Sequence, residues 1–255
     1  RKLISIPYGI DMEGKLLSID FENSNFATFV CGAARCGKSN LLHVLLTGII
    51  KNIHPDDVEL WLVDFKMTEF SRYINHLPPH VRYIILDESP ELVYDIIDKL
   101  TDIMAERQNL FKGKWLKLDD VPKEQYMPAI LVMIDEFSVM ARIMADSLVS
   151  GKDNYRIKLQ MLLSKGAALG LHFIFASQGF ADETAGLTSR SKKQIQQRIA
   201  MQIEYNEIKE TLDLKSATDE DRKMMEEIQV HHALLKTPIN DRGGHLLLAK
   251  VLHIS

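Results

Sequence analysis

The sequence predicts an α/β fold in which a mostly parallel sheet carries helices on both faces. Apolar, β-branched runs alternate along the chain with segments of helical periodicity, as in folds built from strand–helix–strand units. Several runs are apolar at every position, which suits strands that are covered on both faces. A length of 255 residues suits one large α/β domain, so we expect residues 1–255 to form a single domain.

Eight apolar segments are predicted to be strands. In chain order they are 25–31, 58–65, 81–86, 129–137, 171–178, 198–203, 231–236 and 245–254. A long helix is predicted to begin near Ser89-Pro90, because proline is tolerated in a first helical turn. Its apolar stripe consists of Leu92, Ile96, Leu100, Ile103, Met104, Arg107 and Phe111. Residues 112–128 are charged, with prolines near their end, which predicts an exposed loop.

The composition restricts the class of protein. With 31 basic and 35 acidic side chains the net charge is -4, which argues against a surface coated with positive charge for nucleic acid but allows a local basic strip. The two cysteines, Cys31 and Cys36, give no disulfide framework, which predicts a reducing, cytoplasmic environment. The longest apolar runs are too short to cross a bilayer. Since the chain begins at Arg1, we expect it to be a piece of a longer protein.

A glycine-framed segment follows the first predicted strand and leads into a run of helical periodicity. It fits G-x-x-x-x-G-K-[ST] and comprises Gly32, Ala33, Ala34, Arg35, Cys36, Gly37, Lys38 and Ser39, with Asn40 next in the helix. Glycines let backbone amides approach phosphate oxygens, and the positive end of the helix points to the same place. The pattern predicts that Lys38 reaches the β- and γ-phosphates and that Ser39 ligates Mg²⁺. A chance match in a chain of this length is roughly a one-in-a-hundred event, so we favour this interpretation over a solvated glycine turn.

Two later strands end in polar side chains. Asp135 and Glu136 follow six apolar residues at the carboxyl end of a strand, where open α/β sheets bind ligands. We expect Asp135 to support the Mg²⁺ and Glu136 to act as general base toward the attacking water; the alternative is an acidic helix start. Gln178 ends the next strand and is predicted to sense the γ-phosphate, the alternative being an amide that caps a turn. With the phosphate loop, these residues predict an ATPase that uses ATP and Mg²⁺.

These motifs lie in longer segments that resemble the motor domain of the FtsK/SpoIIIE family, which are hexameric ATP-driven translocases of the RecA-like class. Residues 6–21 resemble the family's lead-in strand pair, and residues 104–111, 127–137 and 168–178 resemble three further motifs. Residues 54–73 resemble its second core strand with a K-M-x-E-x-S-x-Y tail, here Lys66, Met67, Glu69, Ser71 and Tyr73. The resemblance implies a RecA-like P-loop NTPase fold that pumps double-stranded DNA through a ring, with nucleotide sites between subunits. It also implies a cytoplasmic domain, with a membrane-anchored bacterial parent chain as one arrangement.

Two departures from the family pattern bear on activity. Family members commonly carry an arginine before the sensor strand, where it completes a neighbour's site, but Ala167 stands there. Such an arginine is worth about three to five decades in rate. Lys165, Arg190 and Arg198 are candidate replacements, with Arg198 ranked ahead because it opens a strand, although each is also explained as a solvated cation. After its glutamine the family often has arginine followed by proline, whereas this chain has Gly179-Phe180.

The remaining polar features have two interpretations each. The basic segment 189–198 either contacts DNA phosphates or is a solvated helix face, which is the commoner fate of such runs. His231 and His232 are interpreted as strand residues rather than metal ligands. Cys36 lies inside the phosphate loop, where amide dipoles are expected to lower the pKa of its thiol and nucleotide is expected to protect it from alkylation.

Three functions follow from these patterns. The first is an ATP-driven DNA translocase, which the K-M-x-E-x-S-x-Y tail favours. The second is a type VII secretion ATPase, a relative of the same fold that moves protein. The third is an assembly module that binds nucleotide but hydrolyses it weakly, which Ala167 keeps open.

Overall fold

Ten strands form one sheet in the part of the chain that the computed structural model describes, namely residues 4–21, 27–146, 155–180, 187, 189–236 and 244–253. The strands are β1 (Ile4–Asp11), β2 (Leu16–Phe21), β3 (Ala27–Cys31), β4 (Val58–Asp64), β5 (Val81–Ile85), β6 (Ala129–Asp135), β7 (Leu171–Ser177), β8 (Gln197–Met201), β9 (His232–Lys236) and β10 (Leu246–Val251). Their order across the sheet is β2-β1-β10-β9-β8-β3-β7-β6-β4-β5.

Six neighbouring strands, β8-β3-β7-β6-β4-β5, run parallel, and β9, β10, β1 and β2 extend the sheet in antiparallel fashion. The predicted mostly parallel α/β sheet is therefore confirmed. Parallel strands end at a common edge, and their register aligns the ends: Cys31 pairs with Ser177, and Asp64 pairs with Asp135. The residues that follow β3, β4, β6 and β7 consequently meet at this carboxyl edge.

Helices cover both faces of the parallel part. They are α1 (Lys38–Asn52), α2 (Pro90–Phe111), α3 (Phe137–Asp146), α4 (Tyr155–Lys165), α5 (Ser189–Gln194), α6 (Tyr205–Thr211) and α7 (Asp219–Glu227). The crossover from β3 to β4 runs in one direction across the sheet, whereas those from β5 to β6, β6 to β7 and β7 to β8 run in the other. Since such crossovers are right-handed, α1 lies on one face and α2 to α5 on the other.

Burial follows this arrangement. Both β6 and β7 are buried at every position, as expected of strands covered on both faces. All eight predicted strands are confirmed to within three residues of their predicted ends; residues 25–26 and 254, at the ends of two of them, lie outside the described residues. The lead-in pair is the hairpin β1–β2, which turns at Gly14 with φ +81°.

Two sequence-based predictions are wrong in detail. Residues 112–128 do not form a wholly exposed loop, because Leu118 and Val121 are buried and Leu118 packs against Gly170. Charged neighbours hid these two apolar anchors. The helix α2 begins at Pro90 as predicted, but Leu92 is 37% exposed and Val93 takes its place in the buried stripe. The predicted spacing is one residue out of phase at that end.

Candidate functional site

The predicted phosphate loop connects β3 to α1 at the carboxyl edge of the parallel strands. Its backbone turns at Gly37, whose φ is +101°, and α1 begins at the next residue, Lys38. The loop is closely packed, because a Cβ added at Gly32 would lie 2.5 Å from the Sγ of Cys36. Gly37 is therefore required by its backbone conformation, and Gly32 because a side chain there would have no space. A helix N-terminus preceded by such a turn is a suitable cradle for a phosphate group.

Residues from the last quarter of the chain hold this loop in place. The backbone N–H of Ala33 donates to the carbonyl of Gln202 (3.0 Å), and that of His231 donates to the carbonyl of Cys36 (2.9 Å). The Nδ2 group of Asn40 donates to the carbonyl of Leu252 at 2.7 Å. The side chain of Asn40 thus anchors the start of α1 to the residue that follows β10.

The prediction for His231 is wrong, because this residue lies before β9 and against the phosphate loop. Its φ is +62°, and a Cβ on Gly37 would lie 2.5 Å from its Nδ1. The His231 Nδ1 atom is buried without a hydrogen-bond partner among the described residues. Its neighbour His232 begins β9 as expected. No sequence signal connects position 231 to position 37, since only the sheet brings them together.

Lys38 of the phosphate loop lies next to Asp135, the first of the two acidic residues that follow β6's apolar run. The Nζ of Lys38 lies 3.4 Å from Oδ1 of Asp135, and both side chains are largely buried. Burial raises the pKa of Asp135 above its usual value, and the positive charge of Lys38 opposes that shift. These two predicted site residues are therefore adjacent, with a carboxylate next to the cation that is expected to bind phosphate.

Glu136 lies at a strained turn between β6 and α3. Its φ is +60°, a region that costs a non-glycine residue about 1–2 kcal/mol. The carboxylate is buried; the Nζ of Lys66 lies 2.6 Å from its Oε2, and the Oγ of Ser138 donates to its Oε1 at 3.5 Å. Positive φ at a buried carboxylate is the kind of strain that accompanies functional sites. Lys66 belongs to a motif that resembles the family's, but the resemblance assigns it no role. Its contact with Glu136 could not be inferred from the sequence.

Glu69 and its neighbours contact the start of α1 from the segment between β4 and β5. The Ser39 Oγ donates to Oε1 of Glu69 at 2.6 Å, and Oε2 of Glu69 lies 3.2 Å from Nε2 of His43. The other ring nitrogen of His43 lies 2.9 Å from the hydroxyl of Tyr73. The hydrogen bond with His43 lowers the pKa of Glu69 below its usual value, although burial opposes the shift. The predicted Mg²⁺ ligand Ser39 therefore already has a carboxylate partner that sequence reasoning did not assign.

Gln178 lies at the same edge, immediately after β7. It shares a cleft of about 350 Å³ with Ala33 and Ala34 of the loop and with Glu204 and Glu207. Its side chain is exposed, so the amide is accessible from this cleft. Its assignment as a γ-phosphate sensor stays a prediction.

Contacts within this chain hold the guanidinium of Arg198, the first-ranked candidate for a trans-acting finger. Its guanidinium donates to the carbonyls of Lys192 (2.8 Å), Ile195 (3.0 Å) and Thr211 (3.2 Å) and lies 4.6 Å from the ring centre of Phe180. It joins the ends of α5 and α6 to β8 within this chain. Phe180 is itself buried, with its ring 4.9 Å from that of Phe29. Of the other two candidates, Arg190 is exposed and Lys165 ends α4.

The expectation for Cys36 is also wrong. The residue is only 1% exposed, and burial raises the pKa of its thiol, with the nearby Lys38 opposing the shift in part. Its sulfur fills the space above Gly32 inside the loop. The desolvation of the thiolate therefore outweighs the amide dipoles on which the sequence argument relied.

The residues present fit a magnesium nucleotide. They offer a hydroxyl, carboxylates and an ammonium group beside a glycine turn, which are the oxygen ligands and the cation that Mg²⁺ and phosphate require. Among the described residues no cluster of three or more His, Cys, Asp or Glu side chains has the geometry of a metal site. Magnesium bound chiefly through phosphate oxygens and water needs no such cluster.

None of the helices in the described residues is both long and apolar enough to span a membrane.

Comparisons with known proteins agree with this geometry. The model of the FtsK/SpoIIIE family matches residues 1–250, which confirms the resemblance noted from the motifs. The ESX secretion system protein EccC of Thermomonospora curvata is 30% identical over 194 residues, and the DNA translocase FtsK of Leptospira interrogans is 28% identical over 188 residues. Each match covers 70% of this chain but only 14% and 19% of the respective relative.

A solved structure confirms the fold. The cytoplasmic domain of the Thermomonospora curvata type VII secretion ATPase EccC superposes with a TM-score of 0.73 at 23% identity. The superposition covers 99% of this chain and 29% of that one. The predicted P-loop NTPase fold is thus confirmed, and the chain corresponds to a part of a much longer relative.

Proposed function

The chain belongs to the FtsK/SpoIIIE family and has a P-loop ATPase fold, and from this premise we propose that it is an ATP-hydrolysing motor domain that moves double-stranded DNA as one subunit of a ring. The observation that carries the proposal is the convergence of Lys38, Ser39, Asp135 and Glu136 at one edge of the sheet. A cation, a metal-ligating hydroxyl and two carboxylates at the end of a glycine loop are the groups that phosphoryl transfer requires.

Each group has a distinct role in this proposal. The turn at Gly37 and the start of α1 bind the phosphates, and Lys38 exchanges its contact with Asp135 for the β- and γ-phosphates. Ser39 and Asp135 would hold Mg²⁺, which when bound would neutralise the charge that develops on the phosphates. Glu136 orients the attacking water and accepts its proton. Lys66 lies on Oε2 of Glu136, so the carboxylate needs to be released or shared for this step.

The proposed partners are duplex DNA and further copies of the same chain. The exposed side chains of Arg190 and Lys193 on α5 supply a local positive surface on a protein whose net charge is -4. We propose a hexameric ring in the cytoplasm, with residues 1–255 as one ATPase domain of a longer, membrane-anchored chain. The small share of the curated relatives that this chain spans supports the longer parent.

A second candidate is a secretion-type ATPase that moves protein. It is favoured by the EccC relative, which is 30% identical against 28% for the FtsK relative. A third, an assembly module with weak hydrolysis, is favoured by Ala167 and by the intrachain contacts of Arg198. The K-M-x-E-x-S-x-Y tail, from which Lys66 and Glu69 enter the site, favours the DNA motor.

The decisive experiment is an ATPase assay with and without duplex DNA over a range of protein concentrations. A DNA motor gives turnover that rises with both DNA and assembly and disappears in Glu136→Gln. The double variant Arg190→Ala/Lys193→Ala should weaken DNA stimulation and lower the salt dependence by about one counterion per lysine or arginine that contacts phosphate. The matched pair Lys112→Ala/Lys114→Ala, which removes two exposed lysines beyond α2, should leave both unchanged.

Other outcomes reject the proposal in a defined way. Turnover stimulated only by an added secreted peptide would select the protein-moving candidate. Tight ATP binding without turnover at any concentration would select the assembly module.

A further inference from the structure

We propose that Glu69 is a positioning residue of the magnesium site: its carboxylate accepts a hydrogen bond from the Ser39 hydroxyl and so directs a lone pair of Ser39 Oγ toward the metal. The proposal rests on the proposed function, since it concerns the same nucleotide site. It adds a carboxylate from the segment between β4 and β5, which also supplies Lys66, to a site built mainly from the phosphate loop and the end of β6.

The chemistry of a hydroxyl group supports this role. A serine hydroxyl has one proton to donate and two lone pairs with which to accept a bond or bind a metal. When a lone pair binds Mg²⁺, the proton needs an acceptor on another side. Glu69 is that acceptor, because Ser39 Oγ donates to its Oε1 at 2.6 Å. The nearby carboxylate Asp135 is instead 3.4 Å from Lys38, and no hydrogen bond joins it to Ser39 in the described part of the chain.

Glu69 is fixed in place from its backbone outward. Its N–H and that of Phe70 both donate to Oδ2 of the fully buried Asp64, each at 2.8 Å. Asp64 is the last residue of β4 and pairs in register with Asp135. The turn that carries Glu69 is therefore attached to the sheet at the same level as the acid pair.

The side chain of Glu69 is fixed by a ladder of hydrogen bonds, in which side chains from α1 alternate with side chains from the segment between β4 and β5. Ser39 and His43 are four residues apart on α1, and Glu69 and Tyr73 are four residues apart at the 3₁₀ segment Phe70–His76. Side chains at this spacing lie on one face of an α-helix, so Ser39 and His43 point to the same side of α1. The order of contacts is Ser39 to Glu69, Glu69 to His43 (3.2 Å), and His43 to Tyr73 (2.9 Å). Groups that orient a metal ligand in this way typically change metal affinity by 10- to 100-fold.

A purely structural role makes a different prediction. If the ladder only joins α1 to the β4–β5 connection, its loss lowers thermal stability and nucleotide affinity alike, with or without metal. If Glu69 orients Ser39 toward Mg²⁺, its loss acts on the metal-dependent part of the affinity. The ratio of the Kd for nucleotide in EDTA to the Kd in MgCl₂ separates these two roles.

The test measures that ratio with a fluorescent ATP analogue for the wild-type chain and for Glu69→Ala, Glu69→Gln and Tyr73→Phe. We expect Glu69→Ala to reduce the ratio by about 10-fold or more, and Tyr73→Phe to reduce it less because only the far end of the ladder is lost. Glu69→Gln keeps an acceptor oxygen for Ser39 and should retain more of the ratio than Glu69→Ala. The control Glu88→Ala removes an exposed carboxylate outside the site and should leave the ratio unchanged.

A thermodynamic cycle with Ser39→Ala makes the assignment specific. Once Ser39 is removed, Glu69→Ala should change the ratio by less than about twofold, because the group that it orients is gone. An unchanged ratio in Glu69→Ala, with equal losses in EDTA and in MgCl₂, would overturn the proposal while leaving the ATPase function intact. A wild-type chain that binds nucleotide no better with Mg²⁺ than with EDTA would overturn both.

Discussion

Replacing Gly37 by alanine is the sharpest test of the phosphate loop, because the chain supplies matched controls. Gly37, Gly14 and Gly113 all have positive φ, at +101°, +81° and +73°. A Cβ at Gly14 or Gly113 meets nothing within 4 Å, whereas at Gly37 it would lie 2.5 Å from Nδ1 of His231 and 3.1 Å from Cε1. The three substitutions therefore share backbone strain, and only Gly37→Ala adds a steric clash.

The expected losses of folding stability follow from these two contributions, backbone strain and steric clash. Left-handed backbone costs a residue with a Cβ about 1–2 kcal/mol, which applies to all three variants. Forcing an atom into a packed site costs about 1–3 kcal/mol more, which applies at Gly37 alone. For a chain of this size the added cost corresponds to a Tm lower by about 2–12 °C than in the controls. Nucleotide affinity should fall with it, because the His231 backbone N–H supports the loop at Cys36.

The assay is thermal unfolding together with binding of a fluorescent ATP analogue to Gly37→Ala, Gly14→Ala and Gly113→Ala. Shortening the histidine provides the second arm: against a His231→Ala background, Gly37→Ala should cost no more than the controls, since the ring that it meets has been removed. The packing argument would be refuted if Gly37→Ala were as stable as Gly14→Ala. It would also be refuted if Gly37→Ala still cost more stability than the controls in the His231→Ala background.

Three further predictions concern catalysis, acid stability and thiol reactivity. Glu136→Gln should keep nucleotide binding and lower turnover by about 10²–10⁴-fold in a steady-state ATPase assay, and unchanged turnover would remove the general-base assignment. Burial would raise the pKa of Asp221, but the backbone N–H groups of Thr218 and His245 donate to its carboxylate and lower the pKa to about 2. The carboxylate therefore stabilises the fold above about pH 4, and that contribution is lost as the pH falls toward 2. Asp221→Asn should therefore cost about 2 kcal/mol at pH 7 and progressively less below pH 4 in denaturant titrations; a cost that stays constant with pH would contradict this linkage. Cys36 should resist iodoacetamide in the folded chain equally with and without ATP, and rapid labelling mapped to this thiol by mass spectrometry would show that the loop opens.

Local patterns predicted the parts of this protein that depend on neighbouring residues. The phosphate loop, the strand that ends in Asp135 and the start of α2 at Pro90 each follow from spacing or turn chemistry within about ten residues. The alternation of apolar runs with helical segments likewise predicts parallel strands, because a helix returns the chain to the same edge of the sheet.

The features that were missed depend on residues far apart in the chain. The contacts of Lys66 with Glu136 and of Glu69 with Ser39 join residues 70 and 30 positions apart. The first exists because β4 lies next to β6, and the second because the segment after β4 meets the start of α1. The environment of Cys36 was misjudged for the same reason, since desolvation depends on packing rather than on the helix that follows. Sequence resemblance named Lys66 and Glu69, but only the fold shows what they contact.

The anchoring of the phosphate loop by Gln202, His231 and Leu252 has a consequence for biosynthesis. In a growing chain the glycine–lysine motif is complete at Ser39, yet its supports are made roughly 160–220 residues afterwards. At about 5–20 residues per second this delay amounts to about 10–40 s. During that interval the nascent chain carries the motif without the cradle, so a premature stop codon before β9 would leave a recognisable signature and no receptor for the triphosphate.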